Sequence, residues 1–289
     1  MFFNRLFSNR GVEIFKLYIG LFGGLFFAIS SAESVELPKT ATGVYFSLGI
    51  PYAEAPVGSL RWRPPLDKIL DPELILNKQT FSASCHPFSQ KNLSYIRHTS
   101  EINEDCLYLN VWTPNPEGNY PVMVWIHGGA FRNGNGNILG DLLARYGVVV
   151  VSLNYRLGPL GFFAHPALET DDPNFGILDQ LSALRWIRRH INDFGGDPDN
   201  VTIFGSSAGA LSVDLLTAHP DAAGLFNKAI AKSSYIASPL RIKKNLAYLI
   251  KNDAYGFPQE IGEDHTVRVL KSIGLDGDES LKFLRALDP

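Results

Sequence analysis

Apolar positions in this chain come in short blocks, and the spacing inside the blocks switches between two periods. Gly147-Val-Val-Val-Val-Ser-Leu-Asn154 is an unbroken β-branched run, which predicts a parallel strand buried on both faces. Pro121-Val-Met-Val-Trp-Ile126 predicts a second buried strand and Val201-Thr-Ile-Phe204 a third. From Glu104 to Trp112 apolar and polar residues alternate, as a half-buried strand requires. Phe226–Ser233 reads as one more strand. Between these blocks the period lengthens. Over Asp179–Phe194, Leu181, Leu184, Ile187 and Ile191 share one helical face, with Arg185, Arg188 and Arg189 mostly elsewhere. Asp171-Asp-Pro-Asn174 supplies the turn leading in, and Gly195-Gly196 the stop. Residues 44–65, full of turn-formers and aromatics, read as an irregular packed segment. The strand–helix–strand alternation predicts an α/β fold, a mostly parallel central sheet with helices on both faces. No internal repeat, low-complexity tract or Pro/Ser-rich linker interrupts it, so one domain is expected.

Composition changes this picture little and the chain start changes it more. At 289 residues, 45% hydrophobic and 12% aromatic, there is material for a large core. A net charge of −3 offers no polybasic field, which argues against nucleic acid as a partner. Arg5, Arg10 and Lys16 precede the apolar stretch Leu17–Ile29, and Ser30-Ser31-Ala32 follows with small residues. Residues 1–32 therefore read as a secretory signal cleaved after Ala32, ahead of a domain over 33–289. An uncleaved membrane anchor is the alternative, although the run falls short of the roughly 20 residues a span needs. Cys85 and Cys106 are the only cysteines. In a secreted chain they predict one disulfide, contributing roughly 3 kcal/mol through loop-closure entropy. Two unrelated buried thiols would suit a cytosolic chain instead. Asn92-Leu-Ser94 is a candidate glycosylation site. Asn200-Val-Thr202 also fits the sequon but leads into a buried strand, so it is expected to stay bare. No metal and no cofactor is expected.

The chemistry sits at the ends of two of the predicted strands. Val201-Thr-Ile-Phe runs into Gly205-Ser-Ser207-Ala-Gly209, and Ala210–Thr217 continues with helical character. This is the strand–turn–helix setting of a G-x-S-x-G nucleophile elbow. The apex serine sits in a strained conformation with Oγ lifted clear of the sheet, and the flanking glycines keep any Cβ out of its neighbours. Ser207 is the candidate nucleophile, and the N–H of Ala208 opens a helix N-terminus where negative charge is favoured. Upstream, Pro121–Ile126 ends in His127-Gly128-Gly129. A Gly-rich turn after a strand is the bland reading of that triplet. Paired in this order with the elbow, an HGG-type loop supplies further oxyanion donors in α/β-hydrolases.

Seven segments in one order carry a resemblance: Gly49-Ile-Pro-Tyr-Ala, Glu104-Asp-Cys-Leu-Tyr-Leu-Asn, His127-Gly-Gly-Ala-Phe, Asn154-Tyr-Arg-Leu-Gly, Asn174-Phe-Gly-Ile-Leu-Asp-Gln, Phe194-Gly-Gly-Asp-Pro and Gly205-Ser-Ser-Ala-Gly. From about residue 44 onward the chain resembles the type-B carboxylesterases, a family that includes the cholinesterases and is built on the α/β-hydrolase fold. The resemblance implies a carboxylic ester hydrolase acting on small-molecule esters through a serine acyl-enzyme. It implies Ser207 as nucleophile and Gly128, Gly129 and Ala208 as oxyanion donors. It pairs Cys85 with Cys106 around an omega loop, and Arg61 with Glu104 and Arg156 with Asp179 as structural ion pairs.

The departures carry information too. Ser206 stands where the family usually has Glu, and residues 86–105 hold no Trp, only Phe88 and Tyr95. A cation needs an aromatic face or a carboxylate, so choline esters are not the expected substrate. The fold's triad runs Ser, then Asp/Glu, then His. In this family the last two follow the segment resembling Ser280–Leu287, so the chain reads as an N-terminal portion lacking the triad acid and base. His219 and His265 are the downstream histidines, and neither falls at a matching position. The alternative readings are a non-catalytic, neuroligin-type binding ectodomain and an inactive truncated product.

Overall fold

The computed structural model describes residues 37–68, 79–87, 101–168, 170, 172–234, 270–271, 274 and 277–287. The N-terminal segment, Asn92 and His265 lie outside them. Among the described residues six strands are joined in one mixed sheet: β1 (Tyr45–Pro51), β2 (Tyr108–Thr113), β3 (Tyr120–Ile126), β4 (Val149–Leu153), β5 (Gly196–Ser206) and β6 (Lys228–Lys232). Their spatial order is β1-β2-β4-β3-β5-β6. β4, β3, β5 and β6 run parallel, whereas β1 and β2 are antiparallel to their neighbours. The helices are α1 (Asp141–Ala144), α2 (Gly158–Gly161), α3 (Phe175–His190), α4 (Ala208–Ala218) and α5 (Gly277–Ala286).

The β-branched run lands at the sheet centre. Every residue of β4 is buried, and in register Val124 lies between Val151 and Ile203. The alternation of side chains then decides which helix packs where. Val149, Val151 and Leu153 join Val122, Val124, Ile126, Leu181, Leu184 and Leu211 in the main core, which α3 and α4 cover. Val150 points the other way, into a smaller cluster with Trp112 and Ala144 of α1. Both faces are thus covered by helix. Among the described residues no helix is long and apolar enough to cross a membrane.

Several boundaries differ from the sequence reading, and β5 begins at Gly196, five residues ahead of Val201. The stretch read as irregular contains β1, whose register against β2 shifts between Ser47 and Ile50. Gly49 sits there at φ 68°, so the glycine that looked like a breaker accommodates a bulge inside a strand. Helix α3 starts at Phe175, four residues ahead of Asp179, and its last predicted turn, Ile191–Phe194, winds as 3₁₀. The alternating run Glu104–Trp112 becomes strand only from Tyr108, because Cys106 and Glu104 are held by other partners.

Candidate active site

Strand β5 ends at Ser206 and α4 begins at Ala208, with Ser207 between them at φ 57° and ψ −122°. A left-handed backbone at a non-glycine residue costs on the order of 1–3 kcal/mol and persists only where its surroundings enforce it. The enforcement is visible. The Ser207 N–H donates to the Lys232 carbonyl at 3.0 Å, and its own carbonyl accepts from Leu211 N–H at 3.0 Å. The end of β6 and the first turn of α4 therefore grip the residue from both sides. A Cβ on Gly205 would lie 2.5 Å from the Gly209 carbonyl carbon, and one on Gly209 would overlap the Ile126 carbonyl oxygen. No larger residue allows strand and helix to approach this closely.

The His127-Gly128-Gly129 loop leaves β3 alongside the elbow. A Cβ on Gly128 would stand 2.6 Å from Ser206 O and 3.4 Å from Ser207 Cβ, so this glycine lies directly against the serine. Gly129, Ala130 and Phe131 follow at φ 111°, 55° and 57°. Arg132 N–H and Asn133 N–H both donate to the Gly129 carbonyl, at 2.9 and 3.1 Å, which closes the loop as a tight turn. The Ala208 N–H belongs to the first turn of α4, where amides have no intrahelical partner.

His127 anchors this loop from below and is only 4% exposed. Its ring stacks on Tyr155 at 4.2 Å, and Tyr155 Oη donates to the His127 carbonyl at 2.8 Å. Desolvation drives its pKa down to about 4, opposed by a bond to Gly128 O. The ring is thus neutral at pH 7. A carbonyl can only accept, so Nδ1 carries the proton and donates to Gly128 O at 2.8 Å. Nε2 is left buried with no hydrogen-bond partner among the described residues. Nothing in the triplet HGG announced Tyr155 as its support. The signal, a tyrosine closing an apolar strand run, is common.

The base is a different matter. Among the described residues no histidine is hydrogen-bonded to Ser207. His219 caps the far end of α4, about 18 Å away along the axis, where Nδ1 accepts from Asp221 N–H at 3.2 Å. A buried serine–histidine contact does occur elsewhere, Ser280 Oγ to His165 Nε2 at 3.2 Å. Its polarity is wrong for nucleophilic activation. His165 Nδ1 accepts from Ala167 N–H, so Nε2 must carry the proton and donates it to the serine oxygen.

The remaining sequence-marked residues form a second group. Cys85 and Cys106 are disulfide-bonded with a Cα–Cα distance of 4.9 Å. Arg61 holds Glu104 through Nε and Nη2, each at 2.6 Å. Arg156 holds Asp179 through Nε at 2.8 Å and Nη2 at 2.7 Å, and Asp179 also accepts from the Arg156 N–H. All four charged residues are buried. Sequence reasoning missed the amide net behind the site. Asn110 accepts from Gly49 N–H at 2.8 Å, and Asn154 accepts from Gly136 N–H at 2.8 Å and donates to Ala83 O. Its signal was present, asparagines inside apolar strand runs. No group of His, Cys, Asp and Glu among the described residues could hold a metal ion.

The carboxylesterase family model matches residues 33–272. The chain belongs to the carboxylesterase family. It is 42% identical over 230 residues to the fumonisin B1 esterase of Sphingopyxis macrogoltabida, covering 75% of this chain and 40% of that protein. It is 48% identical over 204 residues to the para-nitrobenzyl esterase of Bacillus subtilis (strain 168), covering 67% and 41%. It is 38% identical over 274 residues to the cholinesterase of Mus musculus, covering 89% and 42%. Among solved structures, a carboxylesterase of Geobacillus stearothermophilus superposes with TM-score 0.59 at 41% identity, over 66% of this chain and 40% of its own. A thermophilic pNB esterase gives TM-score 0.69 at 37% identity, over 86% and 49%. The fold is therefore the α/β-hydrolase fold of these carboxylesterases, and the chain spans about two fifths of the length of the curated relatives it matches.

Proposed function

We propose that the protein is a serine carboxylesterase, with Ser207 as nucleophile and the N–H groups of Gly128, Gly129 and Ala208 as its oxyanion donors. The observation that carries this reading is the left-handed Ser207 at the β5–α4 junction with Gly128 packed against its Cβ. A binding surface has no use for a strained serine beside a glycine cradle. In the reaction Ser207 Oγ attacks the carbonyl carbon of an ester, and its proton passes to a general base. The carbonyl oxygen gains the negative charge and is met by the three amides. Collapse expels the alcohol and leaves the acyl group on Ser207. Water then attacks that ester, releasing the acid and restoring the serine. No histidine among the described residues is bonded to Ser207, so the general base is not assigned to any of them.

The substrate class is an uncharged carboxylic ester, since Ser206 puts no carboxylate beside the nucleophile and the 86–105 stretch has no Trp to stack on a cation. The disulfide and the N-terminal apolar run support a secretory-pathway location, with cleavage after Ala32 or retention as an anchor, and with Asn92 as a glycan site. The test is hydrolysis of an uncharged aryl acetate by the naturally produced protein. Ser207→Ala should lower kcat by a factor on the order of 10⁴–10⁶. Wild-type turnover in that variant would overturn the assignment, and a preference for a choline ester over an uncharged ester of similar size would overturn the substrate class.

A further inference from the structure

Among the described residues helix α5 is held by the Ser280–His165 hydrogen bond, by the apolar cluster around Leu281, and at its C-terminal end by Arg61. The Arg61 guanidinium is used on both sides. Nε and Nη2 clasp Glu104, while Nη1 donates to the carbonyls of Leu284 at 3.0 Å and Leu287 at 2.6 Å. Both acceptors lie at the C-terminal end of α5, the negative end of the helix dipole, where Leu284 O also takes a long bond from Leu287 N–H at 3.4 Å. Arg285 Nε returns a bond to the Arg61 carbonyl at 3.0 Å. The neighbouring Trp62 adopts φ 55°, donates Nε1–H to Pro159 O at 2.8 Å, and packs in one cluster with Leu281 and Phe175. Arg61 and Glu104 are 5% and 7% exposed, so neither charge is relieved by water if the other leaves.

Glu104 is two residues from Cys106, and its stretch is tied to the strand-like segment at residue 84 by few contacts. Ser84 N–H donates to Glu101 O at 2.7 Å, Asn103 N–H donates to Ser84 O at 3.0 Å, and the Cys85–Cys106 disulfide completes the staple. Both cysteines line a small cavity shared with Arg61, His86, Glu104 and Arg156. We propose that Cys85–Cys106 and α5 are coupled through Glu104 and Arg61, so that the oxidation state of the cysteine pair sets how firmly α5 is held. A dithiol reductant delivers two electrons and two protons in two exchange steps. It leaves thiols at Cys85 and Cys106 and departs as its cyclic disulfide. The freed 101–106 stretch then no longer fixes the Glu104 carboxylate, Arg61 loses its buried counter-charge, and the carbonyls at the end of α5 lose their cap.

The experiment is hydrogen–deuterium exchange on the full chain, folded and oxidised, with and without dithiothreitol. Reduction is expected to speed exchange at residues 281–286 by roughly tenfold or more, while α3 keeps its protection. Oxidised Glu104→Gln should give the same acceleration at 281–286 with the disulfide intact. Unchanged protection of α5 after confirmed reduction overturns the coupling. So does equal loss in α3 and α5, which would mean that reduction unfolds the whole unit. Unchanged α5 protection in oxidised Glu104→Gln overturns the route through Glu104 and Arg61.

Discussion

A methyl group on Gly209 would overlap the carbonyl oxygen of Ile126 and stand 2.9 Å from His127 backbone, main-chain atoms that cannot rotate away. Gly209→Ala is therefore expected to cost about 1–3 kcal/mol or more, read as a lower urea midpoint at unchanged m-value. Such glycines were legible because their spacing around a serine has one geometric purpose. What holds the serine was not: the acceptor for Ser207 N–H is the backbone carbonyl of Lys232, and a carbonyl leaves no mark in a sequence. His127 gives a second residue-scale test. Its folded pKa of about 4 lies below the ordinary histidine value, so the unfolded chain binds more protons between the two. Its contribution to stability is present above about pH 6.5 and is lost as pH falls towards 4, on the order of 3 kcal/mol in full. His86 and His190, also lowered mainly by desolvation, tilt the curve the same way. The urea midpoint should thus fall over that window, and the fall should be smaller in His127→Gln. Equal slopes in the two proteins would show that the ring is not neutral in the fold.

Elements were legible where one period ran long enough to dominate. The helix face Leu181, Leu184, Ile187 and Ile191 and the run Val149–Leu153 are buried, so both elements were found, although α3 was read four residues short at its start. β1 was not, because Gly49 and Pro51 are turn residues and the pairing that makes them a strand comes from β2, more than fifty residues later. The early start of α3 has a similar cause. Phe175, Gly176 and Ile177 are all buried, so this turn shows no polar face from which a period could be read. The same helix carries Asp179, whose carboxylate fastens α3 to the loop ahead of α2 by three donors from Arg156. Asp179→Asn keeps the shape and removes the charge, leaving a buried guanidinium uncompensated. A loss of about 3–5 kcal/mol is expected, measured by denaturant unfolding. A change under 1 kcal/mol, the range of exposed pairs, would show that water reaches Arg156.

At the scale of the whole molecule the two sides of the sheet are unlike. β4, β3 and β5 are flanked by strands on both sides, while β6 closes the order and pairs through β5 alone among the described residues. All five residues of Lys228-Ala-Ile-Ala-Lys232 are exposed, Ile230 by 51%. An apolar edge of this kind is a template for another strand, and lysines are a common guard against it. Here they stand at both ends of a five-residue palindrome. An antiparallel pairing of two copies centred on Ile230 places Lys228 of each opposite Lys232 of the other, so like charges oppose the only register that buries both isoleucines. Salt should weaken that guard, because screening shortens the Debye length from about 10 Å at 0.1 M to about 3 Å at 1 M. Association measured by light scattering is therefore expected to rise with ionic strength. Ile230→Lys should abolish the rise while leaving the thermal midpoint in place, since the side chain it replaces is half in water. If association instead falls with salt, the contact is between opposite charges and lies on another face.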